Sequence, residues 1–559
     1  MSLQSAHAAY QAGRLDEAEA QLAPLLQSAS ASRAERAVAQ QLGAMIATRR
    51  GDHMTALQRI QQALQHPANR AERLNTQGNI LRALGYDVQA EQSFAAALQA
   101  QPDYDAARFN LARLRLDGSQ YREAAQAFTQ LTERAPDNAN AWRGRIEALL
   151  ESQQLDAAEA DIGDAPLPEG ELGQYRARLA FNRGDLDATL RLARANIPDA
   201  SQGGASLSLA LQILRMTGRW DEAEELITET LSRHPGRPDL WAAGLRGLVR
   251  SGDHRAAAAM LGQAPDGMEI ALVRVELLIE QERYSEAEEA AMAALGTAPG
   301  HAPMMQNLCR AALGAGRYAT AQQVADHGLR AEPNNQFYYA VKATAGRARG
   351  QDYRYYFDYS RFVKPYDLGP PDGWADLAAF NADLKTELDA LHGFRDAPLD
   401  QTLRLGTQTA ADLRYVDSPA IQAFFKAVDP AIQSYVRELG RDPRHAFLRR
   451  NMGGYRIRSA WSVRLGAGGH HVNHIHPQGW ISSAYYVDVP EARGKQGWIR
   501  FGEPPAPLNA ALGQSAELEI EPVAGRLVLF PSYLWHGTNA ITGDATRLTL
   551  PIDILPAAG

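Results

Sequence analysis

The chain has 559 residues, 45% hydrophobic and 22% charged, which is enough for more than one domain with sizeable cores. Its net charge of -8 gives no electrostatic reason to bind nucleic acid or an anionic membrane. A single cysteine, Cys309, excludes an internal disulfide framework and a cysteine-rich zinc site and fits a reducing compartment. No basic and apolar leader opens the chain and no apolar run approaches the roughly 20 residues that span a bilayer, so a cytoplasmic protein is expected.

Residues 1 to 350 are rich in Ala, Leu, Glu, Gln and Arg, all good helix formers. A phrase recurs there, as "GRLDEAEAQL" from Gly13, "GYDVQAEQSF" from Gly85, "GRWDEAEELI" from Gly218 and "GRYATAQQVA" from Gly316. Ten alanines fall in register: Ala18, Ala56, Ala90, Ala124, Ala158, Ala188, Ala223, Ala257, Ala287 and Ala321. Five of their nine intervals are 34 residues, the spacing also of Pro102 from Pro136 and of Pro299 from Pro333. A small residue lets paired helices approach closely, and a proline stops the second helix. The pattern resembles the tetratricopeptide repeat, about ten copies of it, with a degraded copy around "DAPLPEGELGQ". That resemblance implies a solenoid whose concave face takes a peptide or protein, or which serves instead as a scaffold or dimerisation arm.

Composition changes after "RARGQDYRYYFDYSRFVKPYDLGPPDGW", so residues 351–395 are expected to hold a linker and one helix, "WADLAAFNADLKTELDALHGF". From residue 396 onward, "QTLRLGTQT" reads as a strand and "SPAIQAFFKAVDPAIQSYVREL" as a helix with Ser418 as its cap. Beyond residue 450 the period becomes two, in "YRIRSAWSVRL", "ISSAYYVDV", "GWIRFGE", "LEIEPV", "RLVLFP" and "TRLTLPIDI". Short alternating strands between Gly and Pro turns predict a double-sheet barrel of jelly-roll type over residues 396–559, making the chain multidomain α + β.

"HHVNHIHPQGW", residues 470–480, holds four of the chain's 14 histidines. In an extended segment His470, His474 and His476 share one face, while His471 and Asn473 face the other way. His474 and His476, two apart, suit adjacent positions on one metal ion; His470 is roughly 13 Å back along a strand and too far. "GRLVLFPSYLWHGTNAI" presents His536 as a third ligand, and "TRLTLPID" places Arg547 and Thr549 on one face of a final strand. An inward arginine needs an anion, and a guanidinium with a hydroxyl beside it suits a dicarboxylate.

These motifs, in this order, resemble the Fe(II)/2-oxoglutarate-dependent oxygenases, and "HIHPQGWISSAYYV" with "AGRLVLFPSYLWHG" resembles their bacterial and phage group with a double-stranded β-helix. The resemblance implies Fe(II) held by His474 and His536, with 2-oxoglutarate paired to Arg547 and Thr549. It also implies hydroxylation, of a peptide or protein side chain if the repeats deliver the substrate. His476 stands where most of that superfamily has Asp or Glu. Three outcomes follow: His476 ligates, giving a three-histidine site; it swings aside, leaving two histidines and water; or the domain has lost its iron and is a binding module. A three-histidine dioxygenase that does not use 2-oxoglutarate is a further alternative, one that leaves Arg547 unexplained. Tyr485, with Trp480 and Tyr486, is a candidate for the cosubstrate pocket; Trp461 and Trp498 read as packing residues, and Cys309 as buried and inert. The sequence leaves the oligomeric state and the substrate open.

Overall fold

The computed structural model describes residues 3–28, 30–392, 402–490, 494–542 and 545–559. They divide into two compact units, Met1–Leu149 with Ala331–Pro333, and Leu150–Arg330 with Asn334–Gly559. Among the described residues no helix is long and apolar enough to cross a membrane.

The first unit is a run of antiparallel helix pairs, such as Arg33–Arg49 with His53–Ala63 and Arg70–Ala83 with Asp87–Ala100. Local code makes each turn. Gly51 takes a φ of 76°, a left-handed conformation that suits a residue without Cβ, and Asp52 then caps the next helix by accepting the Thr55 N–H. The same Gly–Asp doublet recurs in the second unit at Gly252 and Asp253, where Asp253 accepts from Ala256. Apolar residues gather in small cores between neighbouring helices, as around Phe94 and Leu111, with no central core, as stacked repeats require.

Nine of the ten predicted alanines are 0% or 1% exposed and sit in the second helix of a pair. The exception is Ala188, which is only half-buried; Thr189 beside it is 0% exposed and lies 34 residues before Ala223. The 35-residue interval from Ala188 to Ala223 therefore comes from an alanine one position out of register, with a threonine in the close-packed slot, while the step from Ala158 to Thr189 remains short at 31 residues. Cys309 is buried as expected, its thiol near the Ala321 carbonyl and its pKa raised by burial.

In the second unit the repeats continue to the helix Gln336–Ala348 and the chain then enters an antiparallel β region. Its strands are β1 (Lys364–Asp367), β2 (Leu403–Gln408), β3 (Gly453–Ala460), β4 (Val463–His471), β5 (Ile481–Asp488), β6 (Ile499–Phe501), β7 (Leu518–Ile520), β8 (Arg526–Pro531), β9 (His536–Thr538), β10 (Arg547–Thr549) and β11 (Ile552–Ala558). One sheet runs β1-β8-β5-β10-β4-β2, with β11 joining β3 to β5; a second runs β7-β6-β9. Every pairing is antiparallel. Two predicted segments are each a pair of strands, "YRIRSAWSVRL" breaking at Trp461 and "TRLTLPIDI" at Pro551.

Residues 351–395 do more than link. Lys364–Asp367 pairs along β8 from Leu529 to Arg526, and Leu377–Asp389 packs on β5. The expected boundary at residue 396 lies outside the described residues. Ser418 occupies the cap position of Pro419–Leu439 without a side-chain cap bond; the Glu387 carboxylate instead accepts the N–H groups of Ala420 and Ile421. These two helices and β5, β8 and β11 enclose the largest apolar core.

The last repeat is fastened to the barrel. The Trp535 indole donates to Thr344 Oγ1 at 2.8 Å, Arg347 pairs with Glu517 at 3.0 Å, and the Gln336 N–H donates to the Pro477 carbonyl at 2.8 Å.

Candidate metal centre

Three histidines converge because two strands meet at them. β4 ends at His471, the chain steps through Val472 and Asn473, and His474 forms an antiparallel bridge with His536 at the start of β9. The His474 and His536 backbones exchange hydrogen bonds of 2.9 and 3.0 Å, so their side chains leave the same face, with ring centroids 4.2 Å apart. His476, two residues on and fixed by its N–H to the Ser532 carbonyl, lies 5.2 Å from both rings. One ligand atom from each of the three falls within 4.8 Å of the others.

Each ring is oriented from behind. Nδ1 of His474 meets the Val472 carbonyl at 2.8 Å, Nδ1 of His536 the Leu534 carbonyl at 2.9 Å, and Nδ1 of His476 the Asp553 carboxylate at 2.7 Å. A carbonyl or carboxylate oxygen only accepts, so in each neutral ring the proton sits on Nδ1 and Nε2 keeps its lone pair. Nε2 of His474 and Nε2 of His476 are 3.2 Å apart. That spacing brings two ligand nitrogens together where one cation can meet both. Burial, with the neighbouring histidines, pushes His474 down to about 3 and holds His536 well below its usual value. Both stay neutral and ready to ligate near pH 7.

The histidines open into a cavity of about 320 Å³ that also holds Arg547 and Thr549. Arg547 on β10 is 2% exposed; Nη1 donates to the Gly497 carbonyl, while Nε is buried without a partner. Among the described residues no carboxylate forms an ion pair with it, and its guanidinium lies 5.8 Å from the Tyr486 ring, whose hydroxyl is also buried and unpartnered. A buried cation and an open hydroxyl facing one cavity form an end suited to an anion. Thr549 is buried and makes a long contact, 3.4 Å, to the Val463 carbonyl. β10 is the penultimate strand; β11 follows it.

Three expectations change. Tyr485 does not reach the cavity: its hydroxyl donates to Asn381 Oδ1 at 2.7 Å and its ring packs 5.1 Å from Phe424, beneath the helices. The pleat of β5 sends Tyr486 to the cavity instead. His471 lines the cavity, 5.9 Å from the His474 ring, because the alternation of β4 does not carry through Val472 and Asn473. Trp480 does not reach the cavity either, being fully buried with its indole on the Phe447 carbonyl, whereas Trp461 packs as expected on the small core of Leu403, Val463, Leu465 and Ile541 and also stacks on His476 at 5.9 Å and 23°. Asn473 faces away, donating to the Pro504 carbonyl, and His470 turns back to the Gly468 carbonyl. The residue missed altogether is Asp553, which lines the same cavity as Arg547 and Thr549 although the strand breaks at Pro551 between them.

Residues 459–553 match the family model described as "Putative 2OG-Fe(II) oxygenase", and residues 109–170 and 278–344 match models of the tetratricopeptide repeat. No curated protein matches the chain. Among solved structures, a tetratricopeptide repeat protein from Parabacteroides merdae is 16% identical, covering 49% of this chain and 97% of its own, with a TM-score of 0.29. The C-terminal part of a repeat-containing protein from Cytophaga hutchinsonii is 13% identical over 44% of this chain and 99% of its own, with a TM-score of 0.36. A Pseudomonas putida prolyl-4-hydroxylase is 17% identical over 36% of this chain and 96% of its own, with a TM-score of 0.25. The chain thus carries tetratricopeptide repeats and a C-terminal 2OG-Fe(II) oxygenase-family domain.

Proposed function

We propose that this protein is an Fe(II)- and 2-oxoglutarate-dependent oxygenase whose iron ligands are His474, His476 and His536. The observation that carries the reading is the pairing, in one cavity, of three Nε2 lone pairs fixed from behind with a buried arginine that has an open donor. Bound Fe(II) and 2-oxoglutarate would supply the oxidising chemistry, in which O₂ converts 2-oxoglutarate to succinate and CO₂ and one oxygen atom enters a C–H bond. The chain's own residues do the rest. The three imidazoles of His474, His476 and His536 would hold the ion at the wall of the cavity, which would give cosubstrate and O₂ access to it. Arg547, with the hydroxyls of Tyr486 and Thr549, holds the far carboxylate and so sets the cosubstrate's direction. Phe530, Ile499 and Trp461 line the walls and keep bulk water out.

The substrate we infer is a peptide or protein side chain, brought by the concave face of the repeats. Its support is the fastening of the helix Gln336–Ala348 to Pro477, the residue after His476, which sets repeat and cavity rim side by side in one unit. Succinate formation from 2-oxoglutarate and O₂ tests the activity. The full chain with Fe(II) should make succinate, and H474A and H536A should not. A three-histidine dioxygenase that does not use 2-oxoglutarate, favoured by the lack of a carboxylate ligand, would consume O₂ with its own substrate and make no succinate. Absence of any Fe(II) binding would leave a non-catalytic repeat scaffold.

A further inference from the structure

We propose that Asp553 is the carboxylate of this metal site, acting through His476 instead of binding the ion. The proposal rests on the reading of the three histidines as an iron site.

Asp553 lies on β11 opposite Ser482 and is 5% exposed. Oδ2 accepts from His476 Nδ1 at 2.7 Å and Oδ1 from Ser482 Oγ at 2.7 Å, with Ser482 in turn 2.9 Å from Ser532 Oγ. Both oxygens are thereby fixed, and one points along the His476 ring toward the site of the ion. Among the described residues its one ionic partner within 4.0 Å is His476. A buried carboxylate is costly unless a cation lies close by, and Arg458 acts on this one only from beyond 4.0 Å. An ion on the far side of the His476 ring meets that need, and the carboxylate makes His476 a more basic ligand.

This explains how a histidine stands where a carboxylate is usual. The negative charge has moved one residue outward, from the ligand to the group behind it. The site keeps one carboxylate charge near the ion, and the ring transmits it. Asp553 is a positioning residue, since it touches neither the ion nor the cosubstrate.

The test is anaerobic titration of the metal-free full-length protein with Fe(II), with Co(II) as a spectroscopic check, for the wild type, D553N, H476D and H476D/D553N. D553N keeps the shape and an acceptor oxygen but loses the charge, and should bind Fe(II) roughly 10–100-fold more weakly. Its Fe(III)/Fe(II) potential should rise, a change that a merely structural role would not produce. H476D leaves two buried carboxylates facing each other and should bind worst; in H476D/D553N the amide donates to the new carboxylate and binding should recover by at least about tenfold over H476D. Affinity and potential in D553N equal to wild type, at an unchanged melting temperature, would overturn the proposal. If D553N does not fold, the comparison of H476D with the double variant decides, and no recovery overturns it. A wild type that binds no Fe(II) would instead remove the iron reading itself.

Discussion

Replacing Arg547 with methionine should remove cosubstrate binding and leave the fold almost untouched. The guanidinium makes one bond, to the Gly497 carbonyl, and its Nε is buried without a partner. Losing the charge-assisted bond destabilises, but removing a buried donor that nothing satisfies gains back about 1–3 kcal/mol. The two nearly cancel, so the apo melting temperature should stay within roughly 3 °C of wild type, against the several kcal/mol usual for truncating a buried, paired charge. The cosubstrate loses far more. Two charge-assisted hydrogen bonds to its carboxylate, at about 1.5–3 kcal/mol each, correspond to roughly 10²–10⁴-fold in Kd. Thermal denaturation of the apo protein and anaerobic 2-oxoglutarate titration of the Fe(II) form measure the two effects. A variant that melts far earlier yet binds 2-oxoglutarate as tightly as before would refute the reasoning, because Arg547 would then be a structural cation.

Neighbouring tyrosines should respond oppositely: Y485F breaks the bond to Asn381 and should cost about 1–3 kcal/mol with 2-oxoglutarate affinity unchanged, while Y486F should weaken that affinity several-fold with stability unchanged or raised. His392, wedged between Thr407 and Ser462, is lowered by burial to about 4 from an ordinary 6.5. The unfolded chain therefore takes up a proton before the folded one, stability falls as pH drops below 6.5, and from pH 7 to 5 this residue should account for about 2 kcal/mol of loss. H392Q should remove that share from urea denaturation curves at the two pH values; an identical pH dependence would contradict it. Q336P deletes the N–H that holds the Pro477 carbonyl at a first helical position that accepts proline, whereas Q336A keeps it. Fe(II) affinity should fall several-fold in Q336P alone, and equal affinities would show that the repeat does not steady the His476 loop.

Much of this architecture was readable before any coordinates. The 34-residue period locates the helix pairs because close packing admits only small side chains at one position, and Thr189 shows the limit, since a one-residue slip is invisible when an alanine happens to stand next door. Alternation located most strands and put Arg547 and Thr549 on one face. It failed where the chain departs from a strand, between His471 and His474, and it does not say which face of β5 is inner, so Tyr485 stands as a candidate beside Tyr486 although only Tyr486 reaches the cavity. Lys364–Asp367 was hidden because a four-residue strand shows too few alternations, and its pairing with β8 comes from residues more than 150 positions away. Asp553 was hidden because its partner His476 lies 77 residues earlier, and only the folded barrel sets the two 2.7 Å apart.

The central claim, iron and 2-oxoglutarate together in this cavity, is tested most directly by the visible absorption spectrum of the full-length protein with Fe(II) under anaerobic conditions. Adding 2-oxoglutarate to the wild type should produce a metal-to-ligand charge-transfer band, which R547M should give only at far higher cosubstrate concentration. Iron demonstrably bound with no band at any 2-oxoglutarate concentration would contradict the account.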